Sequence, residues 1–265
     1  MDWIRLNFVK CKDEFEFNSN NSIKEVDMRV GLGRKFFNRL GKEEFLRKLK
    51  LFKSGRARNT VLMVFESEKC CRLQDDHKFD MSIGIEVVAK EDTVIKEGQC
   101  SILPTGVKWA ANWEYGNYLA ILPRSGMSSY TPLRIPNAPG TVEPTYRGEI
   151  GVPMYVESGW RPEGAYCKDW IRKLGKVEWK GIEVRASSDC EGEYEVVIPA
   201  GTRIAQLVLQ VNFMVWALGP YVGINPFIAN QIEVLFTIDK EIFDNWAELV
   251  PTDRGTGGYG STGTK

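Results

Sequence analysis

Between residues 59 and 211 the chain returns again and again to short runs rich in Val, Ile, Leu and Tyr, separated by clusters of Gly, Pro and Asn. Val61–Phe65, Ile83–Val88, Tyr118–Leu122, Glu149–Val156, Glu195–Ile198 and Arg203–Val211 are such runs. β-Branched and aromatic side chains suit a pleated, half-buried surface, and runs this short end before a helix of useful length could form. Their regular spacing points to an all-β sandwich, jelly roll or barrel rather than to alternating βα units.

The flanks have a different texture. Lys35–Phe52 places Phe36, Phe37, Leu40, Phe45, Leu49 and Phe52 near helical spacing with Lys and Arg between them, and it reads as one amphipathic helix broken at Gly41. Packing on the main domain is the first use of such a stripe, and a membrane surface or a partner is the second. Residues 157–195 hold Trp160, Trp170 and Trp179, whose apolar area is costly to leave in water. Within that stretch Lys176–Ser187 alternates as a strand pair would. Thr252–Lys265 has five glycines and little to bury, so it is expected to be flexible. The expected division is a partly helical extension over 1–58, a β domain over 59–250 with an inserted excursion at about 157–195, and a tail over 251–265.

Lys+Arg and Asp+Glu number 35 each, so no global field favours a nucleic acid or a membrane, and only a local anionic ligand stays open. No run of about 18 apolar residues is available for a membrane span, and the N-terminus has no apolar export segment. Six cysteines without a CxxC pair, and His77 as the single histidine, argue against a zinc site and for a reducing, cytoplasmic setting. With almost no histidine, any chemistry has to rest on carboxylates, hydroxyls, backbone amides or a metal.

Five segments combine groups of that kind. Ile83–Asp92 carries Glu86 on a strand. Leu122-Pro-Arg-Ser-Gly126 puts a guanidinium and a hydroxyl in a turn after a strand. Asn137–Ile150 (NAPGTVEPTYRGEI) is a hairpin with an amide, a carboxylate and a tyrosine. Gly201–Val208 (GTRIAQLV) turns into a strand. Arg254–Gly263 (RGTGGYGSTG) adds a forked cation, an aromatic ring and consecutive backbone amides that glycine lets approach a phosphate closely. Singly each is weak, because an arginine in a turn is usually a surface ion pair and a glycine-rich tail is usually a linker.

Together and in this order they resemble the five motifs of the trimeric dUTPase family. The resemblance implies a homotrimer of β jelly rolls that binds dUTP between subunits and hydrolyses it to dUMP and pyrophosphate with Mg²⁺, in the cytoplasm (the host's, if the chain is viral). By that likeness Arg124, Ser125, Gly126 and Gln206 hold phosphates, and Asn137, with Gly140 and Val142 on the same hairpin, reads the uracil edge. Tyr146 packs on the deoxyribose and excludes a ribose. From the tail, Arg254 grips the γ-phosphate while Gly258, Tyr259, Gly260 and Ser261 close over the nucleotide. The resemblance also implies that hairpin and tail at one site belong to different chains.

The sequence departs from the family in three places. The water-activating aspartate is matched by Glu143, the motif-one aspartate near the metal's water shell by Glu86, and the aspartate after the catalytic one by Thr145. An extra methylene moves a carboxylate by roughly 1 Å, a displacement that costs on the order of a hundredfold in rate unless the surroundings compensate. Two other readings stand beside the enzyme. The extra segments suit a dUTP-sensing protein of weak turnover with a protein partner on the insertion. A dCTP deaminase is disfavoured, because Pro153 lies where its catalytic glutamate is expected and proline cannot act as a base.

Overall fold

The structure is a computed structural model that describes residues 37–57, 60–71, 84–112, 118–162, 176–187, 193–210 and 233–258. All of them lie in one compact unit, Lys35–Lys265. Readings made above on Phe36, His77, Trp170 and Val211 fall outside the described residues.

The order of elements is β1 (Phe37–Arg39), α1 (Lys42–Lys53), β2 (Thr60–Phe65), β3 (Ile85–Val88), β4 (Thr93–Lys96), β5 (Cys100–Pro104), β6 (Val107–Asn112) and β7 (Tyr118–Pro123). α2 (Ser125–Tyr130), β8 (Leu133–Arg134), β9 (Gly140–Val142) and β10 (Gly151–Val156) follow. After them come β11 (Lys176–Trp179), β12 (Ile182–Ala186), β13 (Tyr194–Ile198), β14 (Arg203–Gln210), β15 (Glu233–Ile238), α3 (Lys240–Asp244) and α4 (Trp246–Leu249). These strands form four sheets, ordered β1-β15-β2-β6, β5-β10-β8, β11-β12-β13-β4 and β3-β14-β7-β9. The all-β class and the six anticipated strands are as expected, and Lys176–Ser187 is the anticipated strand pair.

The expected helix over Lys35–Phe52 is shorter than its periodicity suggests. Phe37–Arg39 instead pairs in parallel with β15, from Phe37 opposite Val234 to Arg39 opposite Phe236. A strand that lengthens a sheet satisfies its backbone groups at once, and this wins over a helical stripe interrupted by glycine. Gly41, in extended conformation, then precedes α1. Phe45, Leu49 and Phe52 form its buried face and pack on Leu62, Val64 and Leu235, with Ile242, Phe243 and Trp246 of the C-terminal helices beside them. The Trp246 indole donates to the Trp109 carbonyl at 3.1 Å. The helix therefore packs on the β domain, the first of the two uses anticipated for it.

β2 is buried along its whole length. Strand alternation sends Val61, Met63 and Phe65 to the main core and Leu62 and Val64 to the helical layer. One β strand thus serves two cores, which explains its continuous apolar run.

A charged knot joins the ends of these sheets. Lys90 lies 2.5 Å from Glu66 and 3.6 Å from Glu149, Lys240 lies 3.1 Å from Glu66, and Glu149 accepts from the Gly106 amide at 2.6 Å. Burial alone would raise the Glu66 carboxyl, but the hydrogen bonds from Lys90 and Lys240 outweigh it and hold the group below its usual value. A carboxyl lowered by folding stabilises fully above its unfolded value of about 4.3 and loses that contribution as the pH falls through the folded-state value. Lys90→Met is expected to move the acid unfolding midpoint to higher pH, read by circular dichroism. An unchanged midpoint would show that the knot carries no pH-dependent stability.

Candidate functional site

Where β7 ends, the chain turns through Arg124 into α2. The Arg124 guanidinium donates to the Arg203 carbonyl at 3.2 Å, and its other terminal nitrogen lies 3.2 Å from Glu86 Oε1. Arg203 binds the same carboxylate from the far side, 2.8 Å from Oε2 and 3.1 Å from Oε1. Glu86 pairs across the sheet with Gln206, three residues after Arg203. Such a spacing in a regular strand would put Arg203 and Gln206 on opposite faces, but a register shift between Arg203 and Ala205 inserts one residue and turns both to Glu86.

Glu86, Arg124 and Arg203 border a cavity of about 420 Å³, lined also by Thr202 and by Trp179 and Lys180 from the inserted hairpin. Three cations against one carboxylate make it a site for an anion. Arg124 Nε is buried there without a hydrogen-bond partner, a costly state for a charged donor unless a ligand completes it. Burial pushes this guanidinium below its ordinary value, with Glu86 opposing the shift. Ser125 and Gly126 begin α2 at the same place. A Cβ at Gly126 would stand 2.8 Å from the Trp179 ring, so only glycine fits under it.

The hairpin residues gather elsewhere. β9 pairs with β7, Gly140 opposite Ile121 and Val142 opposite Leu119. Asn137 is exposed, and its amide packs where a Gly140 side chain would intrude. Half-buried Tyr146 donates to the Glu149 carbonyl at 3.0 Å and packs close over Gly148. The Glu143 carboxylate is 54% exposed and ion-paired with Arg254, whose guanidinium also lies 5.8 Å from the centre of the Tyr146 ring. Gly258 packs against the same ring.

Arg147 explains why tail and hairpin meet. This buried guanidinium donates to the carbonyls of Val250 at 2.7 Å, Pro144 at 2.5 Å and Tyr146 at 3.0 Å. Its backbone amide donates to Gly255 at 2.8 Å, and Thr252 donates to the Thr145 carbonyl at 2.6 Å. Desolvation lowers Arg147 to about 10, still charged at neutral pH. The described part of the tail therefore lies on its own chain's hairpin, where the resemblance implied different chains at one site.

Arg124, Ser125, Gly126, Gln206 and Glu86 thus form one group, and Asn137, Gly140, Val142, Glu143, Tyr146, Arg254 and Gly258 another; Tyr259, Gly260 and Ser261 lie outside the described residues. β7 measures the gap between the groups. Val142 faces Leu119, five residues before Arg124, and Glu143 lies beyond it, so the backbones of Glu143 and Arg124 are separated by roughly 15–20 Å at about 3.3 Å per residue.

Glu86 does not fit its expected place near a metal, because both its oxygens are taken by arginines. Among the described residues no group of three His, Cys, Asp or Glu could hold an ion. Sequence reasoning missed Arg203, Arg147, Trp179 and Lys180. Arg203 was spelled out in GTRIAQLV, but only the bulge shows where it points.

No family model matches the chain. A deoxyuridine 5′-triphosphate nucleotidohydrolase of Mycobacterium marinum is 27% identical over 184 residues, covering 69% of this chain and 83% of that protein. The enzyme of the same name from Mycobacterium leprae is 28% identical over the same coverage. Over two thirds of its length the chain is similar to enzymes of that name. Among solved structures, a mutant dUTPase from phage phi11 of S. aureus, described as coordinating a structural Mg(II) ion, is 25% identical with a TM-score of 0.41. That likeness covers 58% of this chain and 92% of the phage protein.

Within a dUTPase frame Arg147 has a structural task. Arg147→Met would strand carbonyls now bonded to it, and a loss on the order of 3 kcal/mol is expected at about 1–3 kcal/mol per unsatisfied buried group. Thermal denaturation checks the loss, and limited proteolysis should cut the segment after Val250 sooner than in the native protein.

Proposed function

We propose that this chain hydrolyses dUTP to dUMP and pyrophosphate. The observation that carries the proposal is the pairing of an arginine-walled anion cavity, with an unpartnered buried Nε on Arg124, and an exposed carboxylate on a conformationally locked hairpin. Both lie in a chain whose relatives are named for this reaction.

Arg124, Ser125, Gly126 and Gln206 receive the phosphates. Asn137 reads the uracil edge, where a cytosine would invert donor and acceptor and leave buried groups unpaired. Tyr146 lies against the deoxyribose. Glu143 orients a water and takes its proton as the water oxygen bonds to the α-phosphorus. The bond from that phosphorus to the bridging oxygen breaks, and pyrophosphate leaves with the electron pair. The guanidinium groups stabilise the charge that develops on the phosphoryl oxygens. Arg254 gives up Glu143 and takes the γ-phosphate, while Tyr259, Gly260 and Ser261 follow it over the base.

The substrate is the magnesium complex of dUTP. Mg²⁺ keeps several waters and is commonly held through substrate phosphates, so a cavity in which Glu86, the one lining carboxylate among the described residues, is already paired needs no cage of its own. That ion neutralises part of the triphosphate charge.

Separation of Glu143 from Arg124 along β7 supports a site assembled from two copies within a homotrimer, one giving the hairpin and the other the phosphate cavity.

Pyrophosphate release is expected from dUTP and not, at comparable rates, from dCTP, dTTP or UTP, and it should stop on chelation of Mg²⁺. Ammonia release from dCTP would overturn the assignment. Glu143→Gln should lower kcat at least about a hundredfold with dUTP affinity kept within several-fold. Full affinity with no turnover in the native protein would favour the dUTP-sensing reading.

Subunit mixing tests the shared site. Glu143→Gln chains and Arg124→Ala chains should each be inactive alone, yet co-refolded mixed trimers should regain activity well above either parent. No recovery, with mixed trimers seen by native mass spectrometry, would place both residues in one chain's site.

A further inference from the structure

The inserted hairpin β11–β12 reaches the phosphate cavity, and we propose that Lys180 at its tip is an additional ligand for the terminal phosphates of a nucleoside triphosphate. The inference deepens the phosphate reading of the cavity above and rests on it.

Three observations converge. First, the two-residue turn Lys180-Gly181 has positive φ at both positions, 48° and 86°. This is the hairpin turn in which Asn-Gly or Gly-Gly is preferred, and a lysine there costs about 1–2 kcal/mol of backbone energy. A strained non-glycine residue held at a cavity mouth is a signal of use.

Second, the hairpin is anchored at both ends of its reach. β12 pairs with β13 through four residue pairs, reinforced by an Arg185–Glu195 contact at 2.8 Å. At the tip the Trp179 ring stacks on Tyr130 of α2, 6.0 Å between centres and 24° between planes, and covers Gly126. The tryptophan thus fixes the tip against the segment that carries Arg124.

Third, the Lys180 ammonium has no carboxylate partner among the described residues. It rests 5.3 Å from the centre of the Trp179 ring and lines the cavity with Arg124 and Arg203. A cation–π contact of an exposed lysine is worth about 0.5–1 kcal/mol, less than a charge-assisted bond to phosphate, so an arriving anion takes the ammonium from the ring. Glu86 already neutralises part of the two arginines. Among the described residues that line the cavity, Lys180 is the cation without a carboxylate, available beside Arg254 for the end of the triphosphate that a monophosphate lacks.

The test compares the native full-length protein with Lys180→Gly, which relieves the turn strain and keeps the fold, as an unchanged or higher Tm will register. Calorimetric titrations use inorganic tripolyphosphate and dUMP, and KM is measured for dUTP. The proposal expects Lys180→Gly to weaken tripolyphosphate and raise the KM for dUTP about tenfold, the scale of one charged contact, while dUMP binding changes less than twofold. Unchanged tripolyphosphate affinity, or equal weakening of dUMP and tripolyphosphate, would overturn it. The two readings fail separately. Tripolyphosphate binding that depends on Lys180 without dUTP turnover sinks the proposed reaction alone, whereas normal dUTP turnover untouched by Lys180→Gly sinks the lysine alone.

Discussion

A guanidinium with no carboxylate beside it among the described residues holds the hairpin and the tail segment of this chain together. Burying Arg147 is expensive, and its donors meet three carbonyls instead of a counter-charge, from Pro144, Tyr146 and Val250. A salt bridge would satisfy the arginine with one partner. Carbonyls distributed over two segments oblige those segments to stay in register. Glu143 and Arg254 then meet, because the hairpin that presents one and the tail that presents the other are bolted at Val250 and Gly255.

β7 imposes the second constraint. A strand is a ruler, and this one has the hairpin paired to its first residues and the phosphate arginine just past its last. Nothing flexible intervenes to fold the distance away. Under the proposed reaction, this spacing is what favours a site assembled from two copies. The inserted hairpin works at the phosphate end of the same ruler, where Trp179 covers Gly126 and Lys180 joins the cavity.

Much of this was legible in the residues, and for identifiable reasons. Strands such as Tyr118–Pro123 and Arg203–Gln210 announce themselves through β-branched and aliphatic runs. The hairpin Lys176–Ala186 announces itself through alternation. The motif arginines and Glu143 were identifiable only through the order and combination of the five motifs, since an arginine in a turn is by itself usually a surface ion pair. Positions that depend on long-range pairing were not legible. Phe37–Arg39 has helical spacing, but an edge next to β15 decides its conformation. Arg203 is brought to Glu86 by one extra residue in β14, which leaves no mark in composition. The burial of Arg147 depends on a segment 103 residues away. Trp179 looked like generic apolar content of an insertion, because nothing in the sequence says which surface it covers.

The two acidic departures have a common physical feature. Glu86 and Glu143 each replace a shorter acid of the family pattern, and in the folded chain each ends on arginine: Glu86 on Arg203 and Arg124, Glu143 on Arg254. A glutamate reaches one methylene further from its backbone, and an arginine is long enough to meet it with a forked, always-charged donor. Accommodation of the longer acids is thus found in the side chains that receive them rather than in distortion of the strands, since the β3–β14 pairing places Glu86 in register opposite Gln206. Shortening either acid would draw a carboxylate back from the arginine that now meets it. The length of the acid and the reach of the arginine are therefore one design variable.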